Sequence, residues 1–483
     1  MQRSRSPRGH GLHRAEVLQA LMDLTARDRE IIRSRGLREE DLLRQYRLLK
    51  SPPGPLKIIR PCTIGDGIKR LSEQEHAELM RLQEGAASEG RFTKFVPASG
   101  AATRMFQPLF EDRERVLQEL EGHPCWKALQ QDPERFPETP KALIPFHQYP
   151  DGPRTAFEEH LVEASLYIKD EGGTCRLHFT VSPPHLDAFR DFFQKVRGRY
   201  EGLLGVKFDV TFSIQEPSTD TIALDEGGNP FRTETGELFF RPGGHGALLG
   251  NLEALGGDLL YIKNVDNVAP DRLKPLEVYW KKVLGGYLIR LERTLKAFLR
   301  ELSAGKIPEG ILDFAREELS VKPPSQWSSW SRREKRLWLL SELNRPLRVC
   351  GMVPNEGQPG GGPFWVRDKW GREYLQIVEG AQLDASGEQR RLWESSTHFN
   401  PVDMVCSLRD LEGRPFRLAQ FVDDTMVIVT EKNHRGKILK VLEWPGLWNG
   451  SMAGWLTVFI EVPRETFNPV KTLWDLLTPS HRA

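Results

Sequence analysis

The sequence lacks an excess of charge of either sign, and it lacks a long apolar run. Its 68 lysines and arginines are balanced by 67 aspartates and glutamates, and the basic residues form no extended stripe. A nucleic-acid-binding protein is therefore not expected, because such proteins concentrate positive charge on one face. No stretch is apolar over the length needed to span a bilayer, so we expect no membrane partner either.

Cysteine is scarce, and its spacing fits neither a disulfide framework nor a zinc site. The five cysteines are scattered, without a C-x-x-C pair or a Cys/His ligand pattern. An odd number of widely separated cysteines favours reduced thiols. The basic start of the chain, MQRSRSPRGHGLHR, is not followed by an apolar segment, whereas a secretory signal peptide would have one. We therefore expect a cytoplasmic location.

The apolar residues are numerous enough for a large packed core. They make up 39% of the 483 residues and include 24 Phe and 12 Trp, a composition typical of globular proteins. From residue 92 onward, apolar β runs alternate with helical patterns, which predicts an α/β fold with a mostly parallel sheet and helices on both faces. The predicted parts are a helical N-terminal extension at 1–90, an α/β core at 91–320 and a C-terminal α+β portion at 321–483.

The stretch FTKFVPASGAATRM at 92–105 predicts a strand, a tight turn and the start of a helix. The small residues from Ala98 to Ala102 let backbone N–H groups approach a phosphate closely, and a helix N-terminus adds a favourable dipole. Arg104 would add a fixed fork of donors for phosphoryl oxygens. An ordinary strand-to-helix turn is the alternative interpretation.

Two further positions are candidates for ligand contact. The strand predicted at 259–263 is followed by Asp266, and ligands of open α/β sheets bind beyond the carboxyl ends of the strands. Asp266 as the cap of the next helix is the alternative. Lys141 follows Pro140, which favours an extended residue before it, so Lys141 should lie on a loop that enters a short strand.

Several separated stretches together resemble one enzyme family. The loop SGAATRM and the dipeptide Pro140–Lys141 resemble the signature of sugar-1-phosphate nucleotidyltransferases. RPGGHGALLGNL at 241–252 and YIKNVDNVAP at 261–270 resemble segments of UTP–glucose-1-phosphate uridylyltransferases, the UDP-sugar pyrophosphorylases. The segments also follow each other in the family's order, and such agreement is more specific than any single motif.

The tail of the chain and the stretch before residue 221 extend this resemblance. VPRETFNPVKTLWDLL at 462–477 is similar to the family's segment with an active-site lysine, here Lys471. FSIQEPSTDT at 212–221 resembles the stretch near the uridine and contains Gln215. The whole chain further resembles an uncharacterised bacterial family of unknown function.

The resemblance implies a GT-A-like, Rossmann-type fold with a nucleotide-binding core, and a reaction. The reaction joins a sugar 1-phosphate to an NTP, here UTP, and releases pyrophosphate with Mg²⁺ as cofactor. The implied partners are thus a nucleoside triphosphate and a sugar phosphate, and no oligomeric state is predicted. The implied catalytic residues are Arg104, Lys141 and Lys471, with Asp266 as metal ligand. The implied nucleotide-binding residues are Ala98, Ser99, Gly100, Ala101, Thr103, Gln215, Gly244 and His245.

Two other functions on the same fold stay open. A catalytically silent nucleotide-sugar-binding or regulatory protein is one, because Ala101 and Ala102 stand where such enzymes usually carry glycine. A GT-A glycosyltransferase is the other, although the single carboxylate of the VDN segment replaces the usual D-x-D. Asp220 and the pair Asp423–Asp424 are further carboxylates that a metal ion could use, and a solvated turn is the simpler interpretation of the pair.

Overall fold

The computed structural model describes residues 24–99, 105–131, 138–357, 360–368, 371–384 and 387–482. Contacts group the chain into two compact units, each built from several segments. The small unit comprises residues 1–55, 216–247 and 422–451, and the large unit comprises 56–215, 248–421 and 452–483. The division at residues 90 and 320 that the sequence suggested stays a prediction.

The strands are numbered in chain order. They are β1 (Ile58–Pro61), β2 (Thr63–Ile64), β3 (Gly67–Lys69), β4 (Phe92–Pro97), β5 (Pro145–Tyr149), β6 (Gly152–Thr155), β7 (Thr174–Val181), β8 (Lys207–Ile214), β9 (Thr221–Leu224), β10 (Phe240–Arg241), β11 (Leu259–Lys263), β12 (Leu347–Pro354), β13 (Gly362–Arg367), β14 (Glu373–Val378), β15 (His398–Phe399), β16 (Asp403–Ser407), β17 (Ile428–His434), β18 (Lys437–Glu443) and β19 (Leu456–Glu461).

The α-helices are named by their bounds. They are Ala26–Ser34, Glu39–Lys50, Glu73–Ser88, Gln107–Glu111, Arg113–Glu119, Trp126–Gln131, Ala156–Tyr167, Leu186–Leu204, Leu249–Leu255, Lys274–Ser303, Ile311–Glu317, Arg332–Leu343 and Gly387–Glu394. Among the described residues, no helix is both long and apolar enough to cross a membrane.

The large unit is organised around a ten-stranded sheet. Its strand order is β2-β3-β19-β12-β16-β11-β4-β7-β8, with β15 paired to β12. The neighbours in the path β11-β4-β7-β8 are parallel, as are those in the path β3-β19-β12. β16 is antiparallel to both β11 and β12, so β11 and β12 run in the same direction. With helices on both faces, this mixed but mostly parallel sheet confirms the predicted fold class.

The small unit has its own sheet and core. Its strand order is β10-β9-β18-β17, with every pair antiparallel. The helix Glu39–Lys50 packs its apolar face on this sheet and buries Leu42, Tyr46 and Leu49. The buried Gln45 side chain ties the helix to β9, because its amide donates to the carbonyl of Asp220 and its oxygen accepts the N–H of Ile222.

A layer of buried charges lies between the central strands of the large sheet and the helices that cover them. Lys263 on β11 places its ammonium 2.9 Å from Glu163 and 2.5 Å from Glu277, and Lys94 on β4 lies 3.3 Å from Glu163. All four side chains are at most 2% exposed. Buried charges are stable only when they are paired and hydrogen-bonded, so this layer fixes how the helices Ala156–Tyr167 and Lys274–Ser303 sit on the sheet.

The long helix Lys274–Ser303 approaches the helix Glu73–Ser88 at two glycines. A Cβ on Gly286 would collide with the carbonyl oxygen of Leu79, and one on Gly285 would collide with the side chain of Gln83 and with the hydroxyl of Tyr261 on β11. Gly286 is therefore required by close backbone approach, even though glycine lowers the intrinsic stability of a helix.

We expect Gly286→Ala to destabilise the protein by about 1–3 kcal/mol, the usual effect of overpacking a close contact. Gly198→Ala is the matched control, since Gly198 is also helical but has no atom within 4 Å of the added Cβ. This control should raise the free energy of unfolding by about 0.5–1 kcal/mol through helix propensity. Urea unfolding measures both variants, and equal effects of the two would contradict the close approach.

Candidate active site

The carboxyl ends of four neighbouring strands meet at one edge of the large sheet. β11, β4, β7 and β8 are parallel and adjacent, so the residues after each of them lie along this edge. Asp266 follows β11, Ala98 and Ser99 follow β4, Ser182 follows β7 and Gln215 follows β8. This is the edge at which open α/β sheets bind their ligands.

Asp266 holds two lysines that are far apart in the sequence. Lys141 places its ammonium 2.8 Å from Oδ2 of Asp266, and Lys471 places its ammonium 3.0 Å from the same oxygen and 3.3 Å from Oδ1. The side chains of Lys141 and Asp266 are 12% and 11% exposed, whereas that of Lys471 is 47% exposed. The structure thus brings together three of the residues predicted from sequence, with Lys471 the most accessible to a ligand.

The C-terminal segment reaches Asp266 through backbone pairing. Asn267 and Pro469 form an isolated antiparallel bridge, in which the N–H of Val470 donates to the carbonyl of Asp266 at 3.0 Å. The side-chain oxygen of Asn267 accepts the N–H of Asn468 at 2.9 Å. Because Lys471 directly follows this bridge, its position relative to Asp266 is set by the main chain.

A buried histidine also anchors the loop that carries Asp266. Nε2 of His160, on the helix Ala156–Tyr167, donates to the carbonyl of Val265 at 3.1 Å, and His160 is fully buried. Burial lowers the pKa of His160 well below its ordinary value, so the ring is neutral and serves as a donor. His160 therefore has a structural role at this edge of the sheet.

Lys141 lies where the sequence places it, on a turn that enters a short strand. Residues Lys141–Leu143 form a 3-10 turn, and β5 begins at Pro145. The N–H of Leu143 donates to the carbonyl of Pro140 at 2.8 Å, and this hydrogen bond closes the turn. Ala142 and Ile144 are buried, which leaves the side chain of Lys141 directed toward Asp266.

Electrostatics keeps the Asp266 carboxylate ionised. Burial alone would raise its pKa, but the ammonium groups of Lys471 and Lys141 outweigh that effect and lower the pKa to about 2. Burial lowers the pKa of Lys141, and the attraction of Asp266 opposes this change. At neutral pH the buried carboxylate is therefore an anion, and its charge is matched by neighbouring lysines.

Both ends of the predicted phosphate loop are anchored at this edge. After β4, the N–H of Ala98 donates to the carbonyl of Thr180 at 2.8 Å, and the hydroxyl of Ser182 donates to the carbonyl of Ser99 at 2.7 Å. Where the chain resumes, the carbonyl of Met105 accepts the N–H of Leu473 at 3.1 Å. The segment that carries Lys471 is therefore bonded to the chain just after this loop.

Four of the residues predicted in the phosphate loop lie outside the described residues. They are Gly100, Ala101, Thr103 and Arg104.

The predicted nucleotide-binding residues Gly244 and His245 belong to the small unit, where the glycine-rich segment packs tightly. The ring of His245 stacks on Trp448 with 4.3 Å between centroids, and its Nδ1 accepts the N–H of Leu447 at 3.0 Å. A Cβ on Gly246 would collide with the carbonyl oxygen of Pro445. Gly246 therefore has a packing role in this motif.

The other carboxylates considered from the sequence have structural partners. Asp220 forms an ion pair with Arg35 at 2.8 Å. Asp423 accepts hydrogen bonds from the N–H and the hydroxyl of Thr425, the solvated-turn role expected of it. Asp266 does not cap the next helix, whose N-cap is Leu273, so the capping alternative is wrong. In the described part of the chain, no group of three or more His, Cys, Asp or Glu residues is arranged to hold a metal ion.

One family model matches nearly the whole chain. A model described as a domain of unknown function, DUF4301, matches residues 25–136 and 125–482. The chain belongs to this family. Membership of an uncharacterised family is what the resemblance implied, and it is confirmed. No curated protein matches the DUF4301 chain.

Solved structures of UDP-sugar enzymes are similar to the DUF4301 chain in fold. UDP-N-acetylglucosamine pyrophosphorylase from Trypanosoma brucei is 15% identical with a TM-score of 0.53, over 97% of this chain and 82% of that one. UDP-glucose phosphorylase from Trypanosoma brucei is 15% identical (TM-score 0.48, 96% and 78% covered). A variant of UDP-glucose pyrophosphorylase from Leishmania major is 14% identical (TM-score 0.47, 94% and 79% covered). The first likeness confirms the predicted nucleotidyltransferase-like fold.

Sequence reasoning missed the residues that hold this DUF4301 site together. Neither the contact of His160 with the Asp266 loop nor the pairing of Asn267 with the segment at Asn468 was predicted. A buried asparagine on each side of a bridge leaves no periodic signal in one sequence, because the two residues are 201 positions apart.

Asp266→Asn should remove a pH-dependent part of the stability. The pKa of this carboxyl is lowered from 3.8 to about 2 in the folded state, so its contribution is fully present above the ordinary pKa and is lost as the pH falls toward the lower value. Between about pH 4 and about pH 2, the wild type should lose about 2 kcal/mol more unfolding free energy than Asp266→Asn. Urea titrations across this pH range measure the difference.

The control for this experiment is Asp187→Asn, at an aspartate whose side chain is 91% exposed. Its stability should follow the wild-type pH dependence. Parallel pH profiles of unfolding free energy for Asp266→Asn and the wild type would show that pairing of this carboxylate with the two lysines does not stabilise the fold.

Proposed function

We propose that the protein is a nucleotidyltransferase that joins a sugar 1-phosphate to UTP and releases pyrophosphate. The observation that carries this proposal is the cluster of Lys141, Asp266 and Lys471 at the carboxyl edge of a nucleotidyltransferase-like sheet. The enzymes with similar folds are pyrophosphorylases of UDP-sugars, which supports UTP as the nucleotide.

The reaction brings two anions together, so the protein must offset their repulsion and align them. An oxygen of the sugar phosphate attacks the α-phosphorus of the triphosphate, and the bond from that phosphorus to the oxygen it shares with the β-phosphorus breaks, so that this oxygen leaves with the pyrophosphate. Cations fixed at the developing charge are the largest expected contribution to such catalysis. Lys471, with its half-exposed ammonium, would contact the phosphates directly, and the more buried Lys141 would hold them from the sheet side.

Asp266 has the chemistry of a Mg²⁺ ligand. Mg²⁺ prefers oxygen donors, keeps several waters and is often bound by one or two protein carboxylates together with substrate phosphates. A single ionised carboxylate at the strand end fits such a set, provided that the phosphates and water supply the other ligands. When bound, the ion would neutralise phosphate charge and align the transferred group.

The extended shape of the edge suits a nucleotide. Gln215 follows β8, which is three strand positions from β11, or about 14 Å at the usual strand spacing. In this proposal Gln215 contacts the base, and the loop that begins at Ala98 and Ser99 lies between the base and the lysines.

The remaining assignments rest on the resemblance alone. Arg104 would grip the pyrophosphate portion, and Gly100, Ala101 and Thr103 would present donors from the loop. Gly244 and His245 would lie against the base.

Lysine substitutions test the assignment. Lys471→Met and Lys141→Met should each lower kcat by about 100-fold or more, because each removes a charge needed mainly in the transition state. Pyrophosphate release is measured with UTP, Mg²⁺ and a panel of sugar 1-phosphates, and the melting temperature is measured in parallel. Lys306→Met, at an exposed lysine after the helix Lys274–Ser303, is the matched control and should keep wild-type rates.

The same assay separates the other functions. Nucleotide binding without pyrophosphate release for any sugar phosphate would support the catalytically silent protein suggested by Ala101 and Ala102. Transfer of sugar from a UDP-sugar would support a glycosyltransferase. Wild-type turnover in both Lys471→Met and Lys141→Met would overturn the site.

A further inference from the structure

A cavity opens at the edge of the large sheet opposite to the one that carries Asp266. It has a volume of about 460 Å³, and its lining includes the residues just before β12 and at the start of β19. β12 and β19 run in the same direction as β11, so these are amino ends, whereas Asp266 lies at the carboxyl ends. The lining side chains that matter here are Lys322, Trp338, Arg345, Arg372, Tyr374 and Trp455.

The cations of this cavity outnumber the carboxylates in its lining. Lys322, Arg345, Arg367 and Arg372 line the cavity together with the carboxylates Glu342 and Glu373, and Glu373 pairs with Arg367 at 2.8 Å. Glu342 serves two guanidinium groups, since it lies 3.3 Å from Arg345 and 3.0 Å from Arg372. Arg372 has a second partner in Asp368, at 2.7 Å. Arg345 therefore shares the carboxylate of Glu342 with Arg372, and its own side chain is only 16% exposed.

Lys322 is the cation that is most available to a ligand. In the described part of the chain it forms no salt bridge, and its ammonium lies over the ring of Trp365 at 5.4 Å from the centroid. Burial lowers the pKa of Arg345 to about 10 in spite of Glu342, so the guanidinium stays charged at neutral pH, where it also donates to the carbonyls of Glu342 and Gly454. Both observations favour an anion in the cavity.

The cavity wall also contains aromatic side chains. Trp338, Tyr374 and Trp455 belong to its lining, and aromatic surface binds flat apolar groups well.

The backbone is strained where this cavity adjoins a neighbouring cavity. A neighbouring cavity of about 610 Å³ shares Ser320, Lys322 and Leu375 with the first. Ser320 has a φ of 57°, in the left-handed region that favours glycine. Strained residues cluster at binding and active sites, where the surrounding structure holds them.

We propose that this cavity binds a small anionic molecule with a flat aromatic or heteroaromatic ring. Its volume lies in the range of small-molecule sites, about 300–1,000 Å³. The anion would contact Lys322 and Arg372, and the ring would pack on the aromatic lining. This site is separate from the Asp266 cluster, so its existence does not depend on the reaction proposed for that cluster.

Phenyl phosphate is the probe, because it is a small molecule with both a ring and a phosphate. We expect saturable binding in ligand-observed NMR titrations, with inorganic phosphate and benzyl alcohol binding more weakly because each lacks one feature. Lys322→Gln and Arg372→Gln should each weaken binding about fivefold or more, through the loss of one ion contact. Lys322 is exposed, so its substitution tests the site without risk to the fold.

Lys471→Gln is the matched control at the other edge of the sheet. Phenyl phosphate should keep one binding site of unchanged Kd in this variant, even if a second site near Asp266 is lost. Absence of saturable binding in the wild type would overturn the proposal. Binding abolished by Lys471→Gln, or unchanged in Lys322→Gln and Arg372→Gln, would equally overturn it.

Discussion

The candidate active site depends on one buried carboxylate that must be paired. Asp266 as a whole residue is only 8% exposed. An isolated charge at such a position is costly unless cations and hydrogen bonds compensate it. Lys141 and Lys471 supply the cations from positions 125 and 205 residues away. The fold must therefore bring a turn after Pro140 and the C-terminal segment to the end of β11, and the bridge at Asn267 does this for the C-terminal segment through the main chain.

The charge layer beneath the sheet serves the same geometry. Glu163 pairs with Lys94 and Lys263, and the backbone carbonyl of His160 accepts a hydrogen bond from the ammonium of Lys94 at 3.3 Å. His160 in turn supports the loop before Asp266 through the carbonyl of Val265. Apolar residues of equal volume would have been at least as stable in general, so the layer is better explained by the precise placement it gives to the helix and to the loop.

The architecture could be predicted from the sequence, and part of the site with it. The alternation of strands and helices indicates the parallel sheet, and the position of Asp266 just after β11 follows from local pattern alone. Lys471 could be assigned only through family resemblance, because nothing local distinguishes it from other lysines. The bridge at Asn267 and the cavity at Trp455 could not be predicted, since both arise from contacts between segments about 100 to 200 residues apart. The glycines near His245 suit tight packing and ligand approach equally, so their pattern alone does not decide between the two.

The pairing at Asp266 has a consequence for substrate binding if the proposed function holds. Without ligand, the two lysines are occupied by the carboxylate, so an incoming phosphate must compete with Asp266 for them. Lys471 can turn toward the phosphate at low cost only if the carboxylate gains another cation, because an uncompensated buried anion is unfavourable. Nucleotide and divalent cation should therefore bind with positive coupling, each raising the affinity for the other by the same factor. In that case neither the nucleotide alone nor the divalent cation alone completes the set of charges that the transfer reaction requires.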